Sequence, residues 1–433
     1  GRGSVNWDNW RHALTSDLQQ RGLAIEVGGH GYQNFINADM PAPGTHGKTL
    51  FEVHPEWFAE DENGHRRREH NWVFNTANPQ AVQFLVGTLI DYGKARPEIQ
   101  IFDLWPPDGE HWDQSTHGKM QGTPTDRMVM LTNQVRGELA RVCPDVRLEC
   151  IAYNRYTKPP QSQQLQKNVL VDFCPISQSF QVPLDDLSNA RNAQYVHDLL
   201  GWRHNFAGNI SLYSYYCKYA WRSLPVLLPH YLQQDLQFLH AVPLQGVSIY
   251  SEPGNWFTFE VNHYVLAKLA WDPHVNITAL LREFAQARYG PACNAAIEAF
   301  DILEKTVRNF CSIPFTDLQE PQALHLAREQ IHRAETELAT WLGNAAIKDE
   351  AIKLNLARLV LDCQYAQKDI ELQAMRAEHA PDTHLAQAVR SLHKFLVEHG
   401  DEGLFLVQDH RLSENALRTH YGLKPSNSGQ HQT

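Results

Sequence analysis

The sequence predicts an α/β protein: a (β/α)8 TIM barrel followed by a C-terminal helical region. Three observations carry this. Short β-rich runs alternate with helical stretches through roughly the first 255 residues. No glycine-rich dinucleotide loop follows any of these runs, which disfavours the rival arrangement, a doubly wound open sheet. From residue 259 onward only helical periodicity remains.

The chain opens on a helix-like stretch, 6–21. Strands are expected at 23–29, 72–76, 100–105, 146–153, 169–178, 210–217 and 246–251, each rich in Val, Ile, Leu or aromatic residues. Helices such as 79–92 and 125–141 lie between them. A closed barrel needs eight strands, so the first is placed just upstream of Gly1, or pairs differently, and the seven become the second to eighth. In the C-terminal part, Leu324, Ala327, Ile331, Ala334 and Leu338 step by three and four, as do Ile352, Leu356, Leu359 and Cys363. The resulting domain reading is a barrel over 1–258, a helical domain over 259–423 and a disordered tail over 424–433.

The 433 residues carry 38 Lys+Arg against 49 Asp+Glu, a formal net charge of −11. That acidic balance argues against a nucleic-acid partner. Hydrophobic residues at 42% and charged residues at 20% exclude whole-chain disorder. No apolar run is long enough for a membrane span. Seven dispersed cysteines without a CxxC pair point to structural free thiols. No metal or other cofactor is expected, since no HExxH or close His pair lies at a strand end. Localisation stays open, with the periplasm or the exterior favoured over the cytoplasm, and a homodimer is admitted.

Barrel active sites lie at the C-terminal strand ends. The richest such segment is IFDLWPPDGEHW, residues 101–112. Asp108 and Glu110 stand two apart, so an extended chain would turn both toward one pocket. Trp105 and Trp112 flank them as platforms for sugar rings. Two neighbouring carboxyls raise one pKa, which suits one of them to be a protonated general acid. The other strand ends add His30 after Gly-Gly, His54 in HPEWF, Tyr153 and Asn154, Tyr213, Tyr250, Glu252 and Trp256. Hydroxyls, amides and rings of this kind recognise carbohydrate. The expected partner is therefore an oligosaccharide or glycan.

The order RGLAIEVGGH, HPEWF, FNTANP, PPDG, then YSYYCKYAWRSLP, GVSIYSEP, HYVLAKLAWDP and FAQARYG resembles a bacterial barrel family described only as a domain of unknown function. That family is grouped near the family 20 β-hexosaminidases and the family 67 α-glucuronidases. The resemblance covers roughly residues 20–300. It implies a glycosidase. In family 20 an adjacent Asp-Glu pair follows the fourth strand: the Asp orients the substrate acetamido group, which is the nucleophile, and the Glu is the acid/base. Here Gly109 separates Asp108 from Glu110, a spacing closer to the Asp-x-Glu of chitinase-like family 18 barrels. The first reading is thus an exo-acting β-N-acetylhexosaminidase with retention by substrate assistance. The alternatives are an α-glucuronidase-like hydrolase of uronic-acid glycans, with Arg155 and Lys218 as the candidate carboxylate partners, and a non-catalytic carbohydrate-binding barrel.

Overall fold

A computed structural model describes residues 3–217, 225–250, 256–310, 320–402, 404 and 412–426. Six strands form one parallel sheet in sequential order: β1 (Glu26–His30), β2 (Ile101–Trp105), β3 (Arg147–Tyr153), β4 (Val169–Cys174), β5 (Asn209–Ser214) and β6 (Gly246–Ile249). Before and between them run α1 (Gly3–Gln20), α2 (Leu50–Val53), α3 (Pro79–Lys94), α4 (Thr116–Met120), α5 (Pro124–Val142), α6 (Ala190–Asn205) and α7 (Pro229–Ala241). Sequential parallel order without reversal excludes the doubly wound alternative.

Among the described residues the sheet has six parallel strands, fewer than the eight of a closed barrel. One expected strand needs correction. Segment 72–76 is not a strand: its one β-bridge among the described residues is a parallel one from Trp72 to His111. Its aromatic and β-branched composition fits a strand, but strand formation needs a neighbour along its whole length. The expected fourth strand is accordingly β2. The expected ends 175–178 and 215–217 lie past the last paired residues of β4 and β5. Residue 251 lies outside the described residues.

The chain divides into two compact units. The first comprises residues 1–176, 195–213 and 244–246. In it Ile25, Val27 and Ile99 form a buried cluster against which Trp7, Leu18 and Tyr92 pack, docking α1. Arg11 grips Glu98 through Nε (2.8 Å) and Nη2 (2.9 Å), fixing the same helix. Helix α5 begins with a Thr123–Asp126 capping box and Pro124 in its first turn. Asp126 Oδ1 also accepts from the backbone N–H of Gln161, Ser162 and Gln163, tying down the loop that precedes β4.

Gly28, in the middle of β1, has φ +144°, a conformation open to glycine alone. A Cβ there would stand 2.3 Å from the Asp103 carbonyl oxygen and 2.7 Å from its nitrogen. Neither atom can yield, because both belong to β2. Gly28→Ala is expected to cost about 3 kcal/mol or more. Urea unfolding checks this; an unchanged midpoint would show that β1 can slide.

The second unit comprises residues 177–194, 214–243 and 247–433. It holds α7 and the C-terminal helices α8 (Glu260–Trp271), α9 (Ile277–Tyr289), α10 (Cys293–Phe310), α11 (Pro321–Leu342), α12 (Glu350–Ala377), α13 (Asp382–Glu398) and α14 (Glu414–His420). Leu324, Ala327, Ile331, Ala334 and Leu338 are the buried residues of α11, as their spacing requires. Helices α11 and α12 run antiparallel: Glu335 accepts from Gln364 and Gln367, and Arg328 pairs with Glu371. No described helix is long and apolar enough to cross a membrane. Six of the cysteines are free thiols, and Cys311 lies outside the described residues.

Asp235 is fully buried in this unit. It accepts from Tyr216 (2.9 Å), Gln178 (3.0 Å) and the Leu184 N–H (2.7 Å). Burial pushes its pKa up to about 7, against the pull of those donors. A raised folded pKa means that stability is full below about pH 4 and is lost as pH rises toward 7. Asp235→Asn is expected to flatten that part of the stability–pH curve, measured by thermal unfolding from pH 4 to 8. An identical slope in the variant would assign it to another group.

Candidate functional site

The carboxyl ends of β1, β2 and β3 bring His30, Trp105 and Tyr153 together. The His30 ring lies 5.4 Å from Trp105 and 5.5 Å from Tyr153. Gly28 and Gly29, both at positive φ, let the chain deliver His30 to this point. His30 Nδ1 lies 2.7 Å from the Pro106 carbonyl oxygen. A carbonyl only accepts, so Nδ1 carries the proton and Nε2 keeps its lone pair. Burial lowers the His30 pKa, against Pro106 and Asp108, so the ring is neutral at pH 7.

Beyond Trp105 the chain passes Pro106 and Pro107 and turns at Asp108–Gly109, with Gly109 at φ +65°. Asp108 is exposed, and its Oδ1 accepts from the Tyr153 hydroxyl at 3.2 Å. Glu110 is only 3% exposed, and its Oε1 is buried without a hydrogen-bond partner. The segment 71–73 holds it there: His111 N–H donates to Asn71 O, and Val73 N–H donates to His111 O. Burial raises the Glu110 pKa and Asp108 adds to this, while Tyr156 and Arg155 act the other way. Both carboxylates also raise the pKa of Tyr153, after the larger effect of burial.

The two carboxylates thus belong to one neighbourhood, but not for the reason of strand alternation. A turn at Gly109 separates an exposed carboxylate from a buried carboxyl, giving the pair unlike environments. Such a pair can divide labour, with the buried carboxyl the one suited to hold a proton.

The remaining sequence-expected residues are distributed as follows. Trp105 is buried beneath His30, with Tyr213 edge-on at 6.1 Å. Trp112 is buried and donates from Nε1 to the Tyr156 hydroxyl at 3.3 Å, so its faces are packed against protein. Asn154, the first residue after β3, is exposed and at φ +51°, a strained setting for a side-chain-bearing residue. His54 stacks flat on Trp57, with ring centroids 4.1 Å apart, and meets Glu56 at 3.2 Å. In the second unit Tyr250 stacks on Tyr215, and Trp256, half exposed, stacks on His263. Glu252 and Lys218 lie outside the described residues.

Sequence reasoning missed Tyr156, which sits beside Glu110 just past the end of β3. It also missed a layer of acids deeper in the sheet: Glu26, Asp103, Glu149 and Asp172. The signal was there, since QIFDLW, RLECIAY and VLVDFC each carry one acid inside an apolar run.

Residues 4–301 match a family model described as a domain of unknown function (DUF4838). A search of curated proteins gives no match. Among solved structures, a GH138 enzyme targeting pectin rhamnogalacturonan II is similar at 7% identity and TM-score 0.44, over 82% of this chain and 56% of that one. Endo-glycoceramidase II from Rhodococcus sp., in a cellobiose-like imidazole complex, is similar at 13% identity and TM-score 0.31, over 57% and 61%. CpGH84B is similar at 10% identity and TM-score 0.32, over 78% and 66%. These neighbours are glycoside hydrolases, and the chain spans less than two thirds of the length of each.

Proposed function

We propose a glycoside hydrolase activity for this chain, which belongs to the domain-of-unknown-function family DUF4838. The observation that carries the reading is the unlike pair at the exit of β2: buried Glu110 with a raised pKa, and exposed Asp108 held by Tyr153. Glu110 is the general acid that protonates the leaving glycosidic oxygen. Asp108 orients and stabilises the acetamido group of an N-acetylhexosamine, which attacks the anomeric carbon. The reaction is exo-acting, and it is retaining because two successive inversions restore the configuration: the acetamido oxygen attacks the face opposite the leaving group, and water then opens the cyclised intermediate from the other face. His30, neutral with a free Nε2, and the Tyr153 hydroxyl are the polar groups beside the reacting sugar.

A second reading has one observation in its favour. Arg155 acts on Glu110, so a cation is at hand to pair with a uronic acid carboxylate. A chromogenic screen with aryl GlcNAc, GalNAc and glucuronide substrates separates the readings. Release from an N-acetylhexosaminide is expected. Release from the glucuronide alone transfers the assignment to the uronic-acid hydrolase. Glycan binding with no release from any substrate leaves a carbohydrate-binding barrel.

A further inference from the structure

Beneath the site, three neighbouring strands each contribute one acid. Glu26 begins β1, Asp103 is central in β2 and Glu149 is the third residue of β3. The parallel register sets Gly28 opposite Asp103, and Asp103 opposite Glu149. One carboxylate oxygen from each of Glu26, Asp103 and Glu149 lies within 4.8 Å of the other two. Asp103 is 9% exposed and Glu149 4%. Asp103 Oδ1 and Glu149 Oε1 are buried with no hydrogen-bond donor, while the Glu26 and Asp103 carboxyls stand close enough to share one proton between them. Asp172 on β4 adds a further negative charge, with its Oδ1 bonded to the Ser211 hydroxyl. The cation acting on Glu26 and Glu149 is Arg147, exposed at the start of β3 and a minor influence on both.

Buried carboxylate oxygens without donors are costly, and uncompensated buried charge is costlier still. Burial accordingly raises the pKa of all three acids. A proton relieves one oxygen at a time, whereas a metal ion takes lone pairs from several at once.

We propose that Glu26, Asp103 and Glu149 form a binding site for one hard divalent cation, with Ca2+ the best fit. The donor set is all oxygen, with no imidazole or thiolate to favour zinc. Ca2+ holds oxygens at about 2.3–2.6 Å, so two ligands on one ion stand up to about 5 Å apart. Oxygens within 4.8 Å of one another satisfy this condition. Mg2+ requires about 2.0–2.1 Å and near-ideal octahedral geometry, and it usually keeps several waters rather than an all-protein cage. Three carboxylates, each mono- or bidentate, supply three to six of the six to eight oxygens that Ca2+ takes. Glu26 keeps part of its surface in solvent although its carboxyl is desolvated beside Asp103, which leaves a route from solvent at the edge of the cluster. The ion ties β1 to β2 and β3, the strands that present His30, Trp105 and Tyr153. Those residues lie two to four positions further along, roughly 7–13 Å away, so the ion is a positioning element and contacts no reacting atom. The site stands independently of the proposed activity.

The test uses the full chain. Protein stripped with EDTA is dialysed against Ca2+, Mg2+ or Mn2+, its metal content is measured by elemental analysis, and its unfolding temperature is followed. One Ca2+ per chain is expected. At a hundredfold excess over Kd, Ca2+ should raise Tm by about 3 °C. Asp103→Asn and Glu149→Gln each remove charge from the uncompensated cluster, so both fold without metal. Both should lose the bound ion and the shift. A wild-type chain that retains no Ca2+ and keeps its Tm up to millimolar Ca2+ overturns the proposal, as does an equal shift in both variants. A wild type indifferent to Ca2+, with variants more stable than it in EDTA, identifies carboxyls that share protons and likewise overturns it.

Discussion

Glu110→Gln should lower turnover about 10²- to 10⁴-fold on a glycoside with a poor leaving group, the usual worth of general acid catalysis. The side chain is buried and one of its oxygens lacks a partner, so glutamine fits the same volume without adding charge. The loss therefore reads chemistry rather than folding, and an unchanged unfolding temperature is the control. A dinitrophenyl glycoside, whose leaving group needs no proton, should be far less affected. The pH profile adds an independent readout. Because burial raises the Glu110 pKa, the acid stays protonated above the normal carboxyl range. kcat/KM should fall as pH rises through that raised pKa, and the limb should vanish in the glutamine variant. Full activity of Glu110→Gln on an ordinary glycoside would remove Glu110 from the acid role and make Glu252 the next carboxylate to test.

Legibility differed from element to element for physical reasons. The α11 stripe was readable because helical burial is local: five residues at steps of three and four share one face whatever they pack against. The cores of the six strands were readable from composition, but their number was not. Strand pairing is nonlocal, and segment 72–76 has strand-like residues with a single bridge to His111. The expectation that Asp108 and Glu110 face one pocket rested on strand alternation. Alternation assumes extended backbone, whereas Gly109 at φ +65° turns the chain and sends one carboxyl into the interior. Tyr156 escaped notice because a residue past the strand end is placed by the 3-10 turn Asn154–Tyr156, which leaves no periodic trace. The acid layer escaped because each acid was read alone. Only the register of β1, β2 and β3 shows that Glu26, Asp103 and Glu149 converge.

Asp108→Asn or Asp108→Ala should damage the poor and the activated substrate alike, by about 10²-fold or more. The acetamido oxygen must be aligned before either leaving group departs, and misplacing a nucleophile by about 1 Å costs on that order. The contrast with Glu110→Gln is the discriminating result: one variant is rescued by a better leaving group and the other is not. Tyr153 donates to Asp108 Oδ1 and leaves Oδ2 to the substrate, so Tyr153→Phe should reproduce the Asp108 pattern in weaker form. A thiazoline analogue of the acetamido sugar, which mimics the cyclised intermediate, should bind the wild type at least about 10²-fold more tightly than substrate. It should lose that advantage in Asp108→Ala, because the interaction gained on cyclisation is the one the carboxylate makes. If the thiazoline fails to inhibit while a uronic-acid analogue does, the nucleophile is not the substrate's own. Arg155 then becomes the group that reads the sugar, and a second carboxylate must be sought on the strand ends as Glu110's partner.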